Sequence, residues 1–130
     1  MNKVCIVMGV GPGNGEAFVR RFSDEGYQVA MLARSKDYLL QLEQSISNTY
    51  AFPCDLMESE QIGTVLAAIR DRLGPAAVLL YNAGGGVFKN VAEARLEAFE
   101  SNRCMQSHAP VAVAEAVLLR PSSHCLARFI

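Results

Sequence analysis

The amino-acid sequence predicts an α/β protein, a parallel sheet with helices on both faces, and three observations carry that expectation. Short apolar runs, several rich in β-branched residues, alternate with longer segments of helical period, an order that implies strands joined by crossover helices. The first run, Val4-Cys5-Ile6-Val7-Met8, shows no polar alternation and so reads as a strand buried on both faces. A turn dense in glycine, Gly9 to Gly15, separates that run from an amphipathic segment.

The remaining elements follow in order. The first helix starts at about Asn14, shows an apolar stripe of Ala17, Phe18 and Phe22, and ends at Gly26, a residue suited to the left-handed position after a helix. Gln28 to Ala33 is the second strand. Ser35 is placed to cap a second helix running to about Ser47, with Leu39, Leu42 and Ile46 on one side. Thr49 to Phe52 forms a short third strand closed by Pro53. Ser59 caps a third helix whose inner face is Ile62, Val65, Leu66, Ile69 and Leu73, and Gly74-Pro75 ends it. Ala77 to Tyr81 is the fourth strand, Asn82 to Gly86 a loop, and Val91 to about Leu119 one or two helices broken near Asn102 or Pro110. Beyond Arg120 the chain changes character: Pro121-Ser122-Ser123 breaks the helix, and no convincing fifth strand follows.

Composition narrows the function classes. With 130 residues, 51% hydrophobic and 19% charged, the chain is long enough for one domain with a buried core. A net charge of -1 and no run of Lys or Arg argue against a nucleic-acid partner. No stretch approaches the ~18 apolar residues of a membrane span, and glycines interrupt the apolar start too soon for a signal peptide. The cytoplasm is the expected compartment. Cys5, Cys54, Cys104 and Cys125 form no Cys-x-x-Cys, and His108 and His124 add no ligand spacing, so no metal site is expected. The first three cysteines read as small buried hydrophobes in a reducing cell.

The glycine turn carries chemistry. The first N–H groups of a helix lack partners within it and the helix dipole is positive there, so a phosphate binds well if the backbone can come close, which glycine permits. Gly9, Gly11, Gly13 and Gly15 do not fit Gly-x-Gly-x-x-Gly in any register. The segment Met8-Gly9-Val10-Gly11-Pro12-Gly13-Asn14-Gly15 instead resembles the Thr-Gly-x-x-x-Gly-x-Gly turn of the short-chain dehydrogenase/reductase family, with Met8 in place of the threonine. Two further matches lie in register: Asp55-Leu56 after the third strand, where the family hydrogen-bonds the adenine edge, and Asn82-Ala83-Gly84 after the fourth. Taken by itself, Asp55 is equally at home as a turn or capping residue.

The resemblance covers residues 1 to about 119 and implies a Rossmann-like, dinucleotide-binding domain of residues 1–119, incomplete at about four strands in the order 3-2-1-4, followed by an atypical tail, 120–130. It also implies an oxidoreductase lineage acting on a carbonyl or alcohol. An enzyme choosing NAD places an acid about twenty residues past the glycines, whereas an Arg suits the 2′-phosphate of NADP. Here Ala33 stands at the acid's place and Arg34, Ser35 and Lys36 follow, so NADP(H) is favoured over NAD(H).

Asn102 looks like the family's asparagine that holds a proton-relay water by its backbone. The tyrosine and lysine of the family's acid/base pair are missing: the tyrosines are Tyr27, Tyr38, Tyr50 and Tyr81, and four positions on stand Met31, Leu42, Cys54 and Gly85. The expectation is therefore cofactor binding without turnover by a chain truncated ahead of its catalytic half. The fourth strand becomes an unpaired edge through which the chain self-associates, unless the last eleven residues cover it. A non-catalytic nucleotide-sensing or interaction module, binding a partner through Val78, Leu79, Leu80 and the tail, is the alternative. A flavodoxin-like or methyltransferase-like domain also fits the alternation but leaves the three motifs unexplained.

Overall fold

The structure, a computed structural model, describes residues 3–82 and 126–129. Its elements are β1 (Val4–Met8), α1 (Asn14–Asp24), β2 (Gln28–Ala33), α2 (Lys36–Ser45), β3 (Thr49–Pro53), α3 (Ser59–Leu73), β4 (Ala76–Tyr81) and β5 (Leu126–Phe129). The strands form one sheet in the order β3-β2-β1-β4-β5, and every neighbouring pair is parallel. The order 3-2-1-4 expected from the sequence is present within it.

The fifth strand corrects the sequence reading. Leu126 to Phe129 pairs in parallel with Val78 to Tyr81, so part of the tail lies along the edge that the sequence left open. A four-residue run with an alanine and an arginine inside it is too short for periodicity to register. Its partner strand is also remote along the chain.

β1 explains why the sheet has two covered faces. None of its five residues is more than 3% exposed, and side chains alternate across a strand, so odd and even positions feed two separate cores. Val4, Ile6 and Met8 join Ala30, Leu32, Leu79 and Tyr81 beneath Ile62 and Ile69 of α3. Cys5 and Val7 join Val29, Met31, Val78 and Leu80 beneath Val19 of α1 and Leu39 and Leu42 of α2. Thus α1 and α2 cover one face and α3 the other.

Two helix details differ from expectation. In α1 the fully buried side chain is Val19, flanked by the half-buried Phe18 and Phe22, while Ala17 is exposed. An alanine carries too little apolar surface to decide which way a helix turns. In α3 the cap position belongs to Glu58, without a side-chain cap bond, and Ser59 is already helical. The reason lies just upstream, where Asp55 closes the approach: its Oδ1 accepts the Met57 N–H at 2.9 Å and its carbonyl accepts the Glu58 N–H at 3.0 Å.

The outer strand β3 is guarded. Glu43 of α2 reaches over and its Oε2 accepts the Ala51 N–H at 2.8 Å, and Pro53 has no N–H to offer. On the same strand the Arg72 guanidinium lies 5.1 Å from the ring centre of Tyr50 and 5.8 Å from that of Phe52.

Candidate functional site

The strand order reverses at β1, which has β2 on one side and β4 on the other, and in an open parallel sheet a ligand crevice forms outside the carboxyl ends at such a switch. The glycine turn leaves β1 at that point. Gly9, with φ 85°, directs its N–H to the Leu32 carbonyl at 2.9 Å, and Val10 N–H reaches the same oxygen at 3.1 Å, tying the turn to the end of β2. From the other side, Asn82 donates its N–H to the Met8 carbonyl at 2.8 Å and its Nδ2 to the Gly9 carbonyl at 3.4 Å. The motifs after β1 and β4 therefore touch.

The glycines have different work. Gly13, with φ 111°, takes the N-cap position of α1, where an L side chain would be strained. Gly15 is buried, and a Cβ there would lie 2.6 Å from the Gly9 oxygen and 2.9 Å from Val10 Cα, so only glycine lets the helix close onto the turn. At Gly11 and Gly13 a Cβ would meet nothing within 4 Å, so both border open space that a side chain would invade. Glu16 N–H and Ala17 N–H bond the Gly11 and Gly13 carbonyls at 3.0 Å each, whereas the Asn14 and Gly15 amides take no partner among the described residues. That leaves a helix N-terminus with donors to spare, the arrangement that suits a phosphate. Met8, in the family threonine's place, is fully buried in the core and contributes only its carbonyl.

Arg34 and Ser35 follow β2 beside this turn and both are exposed. Ser35 caps α2 as expected, its Oγ accepting the Tyr38 N–H at 3.4 Å. Across the crevice wall, Tyr38 donates its hydroxyl to Glu16 Oε2 at 2.8 Å, and Arg20 holds Glu16 Oε1 through Nη2 at 2.8 Å and Nε at 3.2 Å. Arg20 first and Tyr38 second hold the Glu16 carboxyl below its usual range. Burial, together with the Glu16 hydrogen bond and charge, pushes the Tyr38 hydroxyl up to about 12, so it remains a donor at any physiological pH. Sequence reasoning missed this bridge. The Glu16–Arg20 spacing of four is a readable helical pair, but nothing local links Tyr38 to a residue in another helix.

Asp55 is half-buried after β3, with its N–H bonded to Gln61 Oε1 at 3.1 Å, so it does serve the turn as its residue type alone allowed. Leu56 is a core side chain, 5% exposed, and could present only its backbone to a ligand. Cys5 and Cys54 are free and buried. Burial pushes the Cys5 thiol up to about 12, and burial with the Asp55 charge raises Cys54, which makes both inert. Val78, Leu79 and Leu80, offered by the interaction-module reading as a docking surface, are buried inside the sheet. Ala83, Gly84 and Asn102 lie outside the described residues, as do Cys104 and Cys125. Among the described residues no helix is long and apolar enough to cross a membrane, and no cluster of His, Cys, Asp or Glu could hold a metal ion.

Known proteins share this arrangement. Meso-2,3-butanediol dehydrogenase of Serratia marcescens is 32% identical over 98 residues, which cover 74% of this chain and 39% of that protein. A blue fluorescent protein from a metagenomic library, solved in complex with NADPH, superposes with a TM-score of 0.84 at 25% identity over 96% of this chain and 54% of its own. L-Sorbose reductase from Gluconobacter frateurii, solved with NADPH and L-sorbose, gives 0.82 at 25% identity over 91% of this chain and 47% of its own. The chain thus spans 39% of the length of the first relative and about half of the two solved structures. The family model for short chain dehydrogenase matches residues 3–120, with the glycine turn, Asp55-Leu56 and Asn82-Ala83-Gly84 all inside it, and the chain belongs to that family.

Proposed function

We propose that this chain binds NADP(H) in the crevice at the carboxyl ends of β1, β2 and β4, as the nucleotide-binding domain of an oxidoreductase acting on a carbonyl or alcohol. One observation carries the reading: a glycine turn open to solvent at Gly11 and Gly13 leads to a helix N-terminus whose Asn14 and Gly15 amides lack partners among the described residues. Those amides suit the pyrophosphate, and the exposed Arg34 and Ser35 beside them suit a ribose 2′-phosphate. Asp55 and the Leu56 backbone suit the adenine edge, Asn82 borders the crevice from β4, and Ala83 and Gly84 complete the family's motif in sequence. The NADPH bound by the metagenomic blue fluorescent protein and by L-sorbose reductase supports the choice of nucleotide.

The cofactor, when bound, supplies a hydride donor or acceptor. These 130 residues hold no Tyr-x-x-x-Lys to move the accompanying proton, a step worth typically ~10²–10⁴-fold, so they bind without measurable turnover. Asn102 would position its relay water only alongside that pair. We assign the binding domain to residues 1–119 and the tail to 120–130, place the chain in the cytoplasm, and propose self-association through the β5 side of the sheet, where no further described strand pairs.

The test is titration of the purified chain with NADPH and with NADH, followed by cofactor fluorescence or by heat. Saturable binding that favours NADPH, and an Arg34→Ala loss of about tenfold confined to NADPH, is the expected result for a charge-assisted bond to the 2′-phosphate. Binding of neither nucleotide overturns the reading.

A further inference from the structure

The nucleotide-binding elements described so far sit on two different segments, the turn after β1 and the cap after β2, already joined by backbone where Gly9 and Val10 meet the Leu32 carbonyl. A second, side-chain path reaches further, to the cap itself. The Gly11 carbonyl accepts the Glu16 N–H at 3.0 Å, the Glu16 carboxylate accepts the Tyr38 hydroxyl at 2.8 Å, and the Tyr38 N–H bonds Ser35 Oγ at 3.4 Å. Three hydrogen bonds through two residues thereby connect the floor of the phosphate turn to the cap that precedes α2, immediately beside Arg34. The path is also complete chemically. Arg20 occupies the other Glu16 oxygen, so the carboxylate is engaged on both sides. Ser35 spends an acceptor site on the helix cap, which leaves its hydroxyl proton free to donate towards the crevice.

We propose that Tyr38, with Glu16, is a positioning pair that sets the distance between the glycine turn and the Arg34-Ser35 cap and so determines how well a 2′-phosphate is recognised. The inference rests on the nucleotide reading given above. Tyr38 and Glu16 act through Ser35 and Gly11 and touch no cofactor themselves. A clamp built across two helices matters most for the nucleotide that must be held at both ends. NADPH engages the turn and the cap together, whereas NADH has no 2′-phosphate to be gripped by Arg34 and Ser35. Loosening the clamp therefore acts on preference more than on binding in general. Two alternatives for this bridge make different demands. A purely structural tie between α1 and α2 would lower stability and weaken both nucleotides alike, and an acid/base role would need the Tyr38 hydroxyl to titrate near neutrality, which its burial and its carboxylate partner oppose.

The experiment compares Tyr38→Phe, Glu16→Ala and Glu16→Gln with the unsubstituted chain by NADPH and NADH titration, with thermal melting of each. Tyr38→Phe and Glu16→Ala are expected to lower the NADPH-over-NADH preference about threefold to tenfold, the effect of losing one hydrogen bond of ordinary net strength. Glu16→Gln keeps an acceptor for the tyrosine and restores most of that preference. Equal weakening of both nucleotides, or an unchanged preference in Tyr38→Phe, overturns the positioning role while leaving the nucleotide reading intact. If the unsubstituted chain binds neither nucleotide, or binds both alike, the reading of the crevice fails first and this inference falls with it.

Discussion

Gly15 and Gly11 set packing apart from the proposed nucleotide contact within a single turn. At Gly15, alanine would gain roughly 0.5–1 kcal/mol in helix propensity. Against that stands a methyl group 2.6 Å from a carbonyl oxygen and 2.9 Å from a Cα, both on backbone that cannot swing aside. Overpacking of that kind costs typically about 1–3 kcal/mol, so the clash wins. Gly15→Ala is expected to lower the melting temperature by several degrees, and an unchanged melting curve would show that the turn has room to move. At Gly11 the same methyl meets nothing within 4 Å, and the residue has no left-handed φ. Gly11→Ala accordingly melts like the parent while losing nucleotide affinity. The sequence shows both positions simply as glycine, and only the packing tells them apart.

Among the elements, β3 is the strand whose protection rests on a neighbour. Glu43 reaches from α2 to the Ala51 N–H, so Glu43→Ala returns that donor to water and is expected to cost about 0.5–1.5 kcal/mol, read as an earlier urea midpoint. Glu43→Gln retains an acceptor and stays close to the parent; if the alanine variant does so too, the contact contributes nothing. How legible an element was followed from where its information lies. β1 to β4 and α1 to α3 announce themselves through local pattern: the unbroken Val4–Met8 run, the Ser35 cap, the Ile62–Ile69 face and the Gly74 stop with φ 106°. The Gly9–Gly15, Asp55-Leu56 and Asn82 motifs were legible because they match the family's pattern in register along the chain. Three features were not. The strand β5 depends on a remote partner, the Glu16–Tyr38 bridge joins side chains of different helices, and the burial of Val19 in preference to Ala17 is decided by what lies opposite.

For the molecule as a whole, the two sides of the sheet are unequal. The β3 side is closed by Glu43 and by Pro53, whereas β5 is a four-residue strand laid along β4. Association is therefore expected on the β5 side and grows when β5 is displaced. Size-exclusion chromatography with light scattering should show a mass that rises with concentration, and Ala127→Pro, which disturbs the β4–β5 pairing, should steepen that rise. A concentration-independent monomer for both chains would count against the proposal. The two exposed ion pairs of α1, Arg20 with Glu16 and Arg21 with Glu25, add little to the global balance by comparison.

The central position of β1 has a cost that equilibrium measurements do not see. Its five apolar residues need β2 on one side and β4 on the other, and Val4 meets Ala76 only after about 70 further residues have been synthesised. At ~5–20 residues per second the nascent chain carries an incompletely paired apolar strand for roughly 4–14 s. During that interval the exposed strand is open to chaperones and to aggregation alike, so the yield of folded protein in a cell is expected to depend on translation speed and chaperone supply as well as on the stability of the finished sheet.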